Sequence, residues 1–166
     1  DCFNPVNVSK VMSGEDGGFA PCTPSAVMEI LKYYGIEIKS KKAVIIGRSM
    51  VVGRPLAMMM LKENATITIC HTKTANLAEE TRKAEILVAA AGKGKMVKRD
   101  MVSEGAVVID VGINFDENGK MCGDVDFDDV SPVAGMITPV PGGVGSVTST
   151  VLVKHVIEAC KMQNGL

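Results

Sequence analysis

The sequence predicts an α/β fold: a doubly wound, Rossmann-like parallel sheet in a single domain. Short apolar runs rich in β-branched residues alternate with helix-forming stretches. One run, Ala43-Val44-Ile45-Ile46, follows the polar Lys39-Ser40-Lys41-Lys42 and reads as a strand buried on both faces. It is joined by the Gly-bounded turn Gly47 to Gly53 to a helix that opens with Pro55, where a missing N–H costs nothing. Strand, glycine turn and helix in this order present backbone N–H groups and the positive end of a helix dipole to a phosphate.

Taken in order, residues 1–19 hold Asn4-Pro5, Ser13-Gly14 and Gly17-Gly18, which suit irregular structure. Residues 1–22 are therefore expected to be a connector, and residues 23–166 a nucleotide-binding domain. Thr23 as N-cap and Pro24 at the first helical position start a helix that runs through Ala26, Val27, Ile30 and Leu31 and stops at Gly35. After the Pro55 helix, Ala65 to Cys70 has the β-branched density of a second strand. A helical stretch from Ala75 to Ala84 leads to a third strand, Glu85 to Ala91, stopped by Gly92-Lys93-Gly94. Val97 to Met101 predicts a short helix and Gly105 to Asn114 a fourth strand. Repeated alternation implies right-handed crossovers, with ligands outside the carboxyl ends of the strands.

Asp116 to Lys120 predicts the turn of a small hairpin ending near Gly123 to Asp126. Asp124, Asp126, Asp128 and Asp129 lack the glycine and terminal glutamate of an EF-hand loop and are expected to form a solvated acidic turn. Ile137-Thr138 predicts a fifth strand, followed by the rigid loop Pro139 to Thr148 and a helix from Ser149 to Met162. That loop suits contact with a ligand through its backbone, and it equally suits a wide turn.

A net charge of −1 from 18 basic and 19 acidic residues, with no basic run, argues against a nucleic acid partner. Aromatic residues make up only 4% of the chain, so stacking platforms are scarce. No apolar run approaches the roughly 20 residues needed to span a bilayer, so no membrane partner is expected. Five well-separated cysteines, an odd number without a C-x-x-C, fit reduced thiols and a cytoplasmic location, with Cys70 and Cys160 as small core residues. His71 and His155 are far apart, and no metal-ligand cluster is expected. There is no G-x-S-x-G for acyl transfer. The chain opens at Asp1 without an initiating methionine and is expected to be a piece of a longer protein.

The tip of the second predicted strand bears on cofactor choice. An NAD-binding sheet carries an acid there, roughly 20 residues past the glycine turn, to hold the ribose 2′-hydroxyl. This chain offers His71, Thr72 and Lys73 instead. A carboxylate repels a 2′-phosphate, whereas a hydroxyl, an ammonium group and the guanidinium of Arg48 attract one, so NADP is favoured over NAD. His71 is read as an ordinary surface imidazole. The glycine turn alone is an imperfect fingerprint, because Ser49 stands where the second glycine of G-x-G-x-x-G belongs, and it is also compatible with plain packing.

Five segments together carry a resemblance: Gly47-Arg48-Ser49-x-x-Val52-Gly53-x-Pro55, Cys70-His71-Thr72-Lys73-Thr74, Val108 to Asn114, Gly123-Asp124-Val125, and Thr138 to Gly145. In this series the chain resembles the bifunctional methylenetetrahydrofolate dehydrogenase/cyclohydrolase family, often called FolD. The resemblance implies the NADP-binding C-terminal part of a two-domain enzyme acting on a tetrahydrofolate derivative, commonly a homodimer. The preceding domain would carry a Tyr-x-x-x-Lys catalytic pair. By the same match Gly47, Arg48 and Ser49 cradle the cofactor phosphates, Thr72 lies near the 2′-phosphate, and Ile113 meets the cofactor through its backbone. Gly142, Gly145 and Thr148 line the nicotinamide and folate side, and Asp1 is a remnant of the folate site. Cys2 stands where the family has glycine, and Ser146-Val147 where Pro-Met is common. A stand-alone nucleotide-binding regulatory module is the second reading.

Overall fold

The structure, a computed structural model, describes residues 2–166. Its first element contradicts the expected irregular structure: Pro5–Ser13 forms helix α1. Asn4 Oδ1 accepts the Val6 N–H at 2.9 Å, Pro5 occupies the first turn, and Gly14 closes the helix at φ +74°. The asparagine, proline and glycine that suggest irregular chain are the caps of a helix. Helix α2 (Cys22–Tyr33) starts one residue before Thr23, with Pro21 at the N-cap and Pro24 still inside the first turn.

Next come β1 (Lys42–Ile46), α3 (Gly53–Lys62), β2 (Thr66–Cys70), α4 (Leu77–Thr81) and β3 (Ile86–Ala89). A single 3-10 turn at Arg99–Met101 stands where a short helix is predicted, and β4 (Val107–Asp110) follows. The predicted hairpin forms from β5 (Asn114–Phe115) and β6 (Met121–Cys122), with Gly119 N–H returning to the Asp116 carbonyl at 2.9 Å. The chain ends with α5 (Phe127–Val130), β7 (Met136–Ile137) and α6 (Val144–Asn164). Helix α6 begins five residues before Ser149, although Gly145, Val147 and Thr148 are weak helix formers. Burial of Val144 and Val151 in the core overrides that propensity.

The five long-range strands pair in parallel in the order β2-β1-β3-β4-β7. Residues alternate between two apolar layers. Ala43, Ile45, Ile86, Val88 and Ile109 face Leu31, Leu56, Met60 and Val151 of the helices on one side. Val44, Ile46, Leu87, Ala89 and Val108 face Val97, Met101 and Val130 on the other. Burial on both faces explains why β1 and β3 read as continuous apolar runs. Cys70 is buried as expected, whereas Cys160 is exposed on α6, so it is not a core residue. Among the described residues no helix is long and apolar enough to cross a membrane, and no group of side chains could hold a metal ion.

The strand order places a topological switch point between β1 and β3: the chain leaves β1 towards β2 and later returns to the other side. Register aligns Ile46 with Cys70 on one side and with Ala89 on the other, and Ala89 with Asp110, so four carboxyl ends lie along one rim. In sheets of this kind ligands bind in the crevice at the switch point.

Candidate functional site

Gly47 occupies that crevice. Its N–H donates to the Cys70 carbonyl and Ala90 N–H donates to the Ile46 carbonyl, both at 2.8 Å, so the turn leaving β1 is laced to the exits of β2 and β3. Gly47 has φ +136°, and a Cβ added there would collide with the Ala90 carbonyl oxygen. At the other end of the turn a Cβ on Gly53 would strike the Gly47 carbonyl. Both glycines are dictated by close backbone approach.

Between them the side chains organise the turn. Ser49 Oγ accepts the Val52 N–H at 3.0 Å, and its carbonyl accepts the Arg54 N–H at 3.0 Å. Arg54 Nε donates to the Arg48 carbonyl at 3.1 Å. Arg54 escaped the sequence reading because a cation in the first turn of a helix opposes the dipole, so nothing in its position signals a latch. Arg48 itself is exposed and takes part in none of the ion pairs among the described residues. No side chain caps α3, whose amino terminus faces the same turn. An uncommitted guanidinium beside a helix N-terminus forms an anion-attracting corner.

The tip of β2 adjoins it, since β1 and β2 are hydrogen-bonded neighbours. His71 N–H donates to Thr74 Oγ1 at 2.8 Å, and His71 Nδ1 accepts the Lys73 N–H at 3.1 Å. His71 thus shapes the turn. Thr72 and Lys73 are exposed at its crest, with no acid between Cys70 and Thr74.

The structure therefore brings Gly47, Arg48, Ser49 and Thr72 together at the tips of β1 and β2. Ile113, 63% exposed, lies across the switch point beyond the end of β4. Gly142, in the loop after β7, and Gly145 and Thr148, in the first turns of α6, form a third group. An added Cβ at Gly142 or Gly145 would meet nothing within 4 Å, and Thr148 Oγ1 donates to the Val144 carbonyl at 3.1 Å. Asp1 lies outside the described residues. A cavity of about 780 Å³ lies elsewhere: an apolar trough among α2, α6, β4 and β7 that includes Gly142 but none of the strand-tip residues.

Two functional candidates were misread or passed over in the sequence. Asp124, expected in a solvated acidic turn, is fully buried, and Asp110 is 3% exposed. Burial pushes the Asp110 carboxyl up to about 6, against three backbone N–H bonds and aided by the nearby Asp124 charge. The available signal was a charge terminating the apolar run Val107-Val108-Ile109 directly before Gly112. His155 is likewise not isolated: its Nδ1 lies 3.8 Å from Cys22 Sγ and 4.0 Å from Cys2 Sγ, its ring packs on Phe19, and burial holds its pKa below the usual value.

Comparison with known proteins matches residues 21–164 to the family profile described as tetrahydrofolate dehydrogenase/cyclohydrolase, NAD(P)-binding domain. The bifunctional protein FolD of Alkaliphilus oremlandii is 58% identical over 166 residues, covering 100% of this chain and 58% of the relative. The crystal structure of the FolD methylenetetrahydrofolate dehydrogenase/cyclohydrolase of Campylobacter jejuni superposes with a TM-score of 0.96 at 48% identity, covering 98% of this chain and 58% of that one. The FolD of Trypanosoma brucei, solved with NADP cofactor and an inhibitor, gives a TM-score of 0.87 at 41% identity over 95% of this chain and 56% of that one. The chain thus spans a little under three-fifths of the length of such relatives. With the switch-point crevice, the glycine turn and the parallel sheet all in place, this chain belongs to the NAD(P)-binding domain family of tetrahydrofolate dehydrogenase/cyclohydrolases.

Proposed function

We propose that the chain is the NADP-binding part of a longer enzyme that oxidises 5,10-methylenetetrahydrofolate to the methenyl form and hydrolyses it to 10-formyltetrahydrofolate. The observation that carries the cofactor choice is the acid-free tip of β2 beside the uncommitted Arg48. Gly47, Arg48 and Ser49 hold the phosphates, the backbone of the turn coming close because neither bounding glycine has a side chain. Thr72 and Arg48 take the 2′-phosphate. Ile113 and Thr148 flank the nicotinamide side, Gly142 and Gly145 the folate side, and Asp1 belongs to the folate site. NADP+, when bound, supplies the hydride acceptor. This chain's residues bind and orient, and the proton handling falls to a preceding domain with the Tyr-x-x-x-Lys pair.

That domain, residues 1–22 as its link and a cytoplasmic homodimer complete the proposal. The length of the relatives and the exposed apolar side chains Leu152, Val153, Val156 and Ile157 of α6 support further packing partners. A stand-alone regulatory module is less well supported, because the relatives at this identity are bifunctional enzymes.

Calorimetric titration tests the cofactor assignment. The chain is expected to bind NADP+ more tightly than NAD+, and Arg48→Ala is expected to remove about 1.5–3 kcal/mol of NADP+ binding, the size of a hydrogen bond to a charged group, while hardly changing NAD+. Thr72→Ala should act in the same direction with a smaller effect. An NADP+/NAD+ ratio unchanged by Arg48→Ala would rule out the 2′-phosphate assignment.

A further inference from the structure

Two loops leave the carboxyl rim at the ends of β3 and β4, and two buried carboxylates tie them to the segment that follows β6. Asp124 Oδ2 accepts the N–H groups of Ala91 at 2.6 Å and Gly92 at 2.9 Å. Its Oδ1 accepts the N–H of Lys93 at 2.8 Å and Asn114 Nδ2 at 2.9 Å. Asp110 holds Asp124 in turn: Oδ1 accepts the N–H groups of Gly112 at 3.0 Å and Asp124 at 2.9 Å, and Oδ2 that of Val125 at 2.9 Å. Three successive N–H groups converging on one carboxylate make an anion nest, filled here by the protein's own side chain. The approach is so close that a Cβ on Gly123 would overlap the Asp110 carboxylate, and one on Gly112 the Asp124 carboxylate.

Asp124 is fully buried and out of reach of a ligand. The segments it holds are not: Ala91 to Gly94 and Ile113 are exposed along the rim. A doubly wound sheet binds one mononucleotide half on each side of the switch point. With the adenosine half at the tips of β1 and β2, the nicotinamide half falls against these loops. We propose that Asp124 is a positioning residue for the nicotinamide-ribose half of the dinucleotide, because its carboxylate fixes the backbone of Ala91, Gly92 and Lys93 and the side chain of Asn114 in one arrangement. Asp110 supports it by holding the Asp124 and Val125 backbone to the end of β4.

This inference rests on the dinucleotide assignment above and is tested so that the two are separable. NADP+ and adenosine 2′,5′-bisphosphate, which lacks the nicotinamide half, are titrated against the wild-type chain, Asp124→Asn and Asn114→Ala. In Asp124→Asn an amide NH2 must face one of the N–H donors, and about a tenfold loss in NADP+ affinity is expected from the broken charge-assisted bonds. The affinity for adenosine 2′,5′-bisphosphate is expected to stay within about twofold, since its site lies across the switch point. Asn114→Ala removes one bond at a half-exposed position and is expected to weaken NADP+ about threefold, again sparing the fragment. It decides the matter if Asp124→Asn fails to fold. NADP+ affinity unchanged in the folded variants, or equal losses for both ligands, would overturn the positioning role. A wild-type chain that binds neither ligand would overturn the dinucleotide assignment and this inference with it.

Discussion

At the scale of single residues, the two buried carboxylates, Asp110 and Asp124, are committed to backbone donors, whereas the exposed Arg48 at the glycine turn is left without an ion pair among the described residues. The raised pKa of Asp110 has a stability consequence of definite sign. A carboxyl whose pKa is higher folded than unfolded favours the native state below its unfolded value, and that advantage is lost as pH rises through the folded value. For Asp110 the window runs from the ordinary 3.8 to about 6. Its share of the unfolding free energy is expected to fall by up to about 3 kcal/mol across that window. Denaturant titrations at intervals from pH 4 to 7 should show this decline in the wild type and its absence in Asp110→Asn; parallel curves would refute it. A turn whose partners are close in sequence, such as Arg48 and Ser49 with Val52 and Arg54, is legible without a structure. Asp124 was not, because its donors lie 31–33 residues upstream and a run of aspartates resembles a wet surface turn.

At the scale of elements, binary pattern identifies the strands and tertiary burial sets the ends of the helices. Ala43 to Ile46, Thr66 to Cys70 and Ile86 to Ala89 are found close to where β-branched density places them. The boundaries shift where caps are ambiguous. Asn4-Pro5 and Gly14 serve turns and helix ends alike, and Gly143 starts α6 ahead of the residues with better helix propensity. The central strands carry the stability: Ile45 and Leu87 are fully buried, one in each apolar layer. Ile45→Ala is expected to cost about 2–5 kcal/mol in denaturant unfolding, a transfer loss plus a cavity that a close-packed sheet cannot collapse. A loss below about 1 kcal/mol would mean that the layer between sheet and helices is not rigidly packed.

At the scale of the whole molecule, the proposed function divides the rim of the sheet into two stations and assigns the chemistry to groups outside this chain. The glycine turn and the tip of β2 form one station, and the loops beyond β3 and β4 the other. Both buried carboxylates of the second station are occupied with backbone donors. The chain alone is expected to bind NADP(H) with turnover more than about a hundredfold below that of a full-length relative, the scale of a missing acid–base group. Absorbance of NADPH at matched protein concentrations measures it; comparable rates would place the proton-handling group within these residues.

The collision that would follow any side chain at Gly47 reaches beyond conformation. The backbone of Ala90, just past the end of β3, passes so near that no side chain fits between the two segments. Any replacement there, even by alanine, is expected to push the turn off the exit of β3 and to lower the melting temperature.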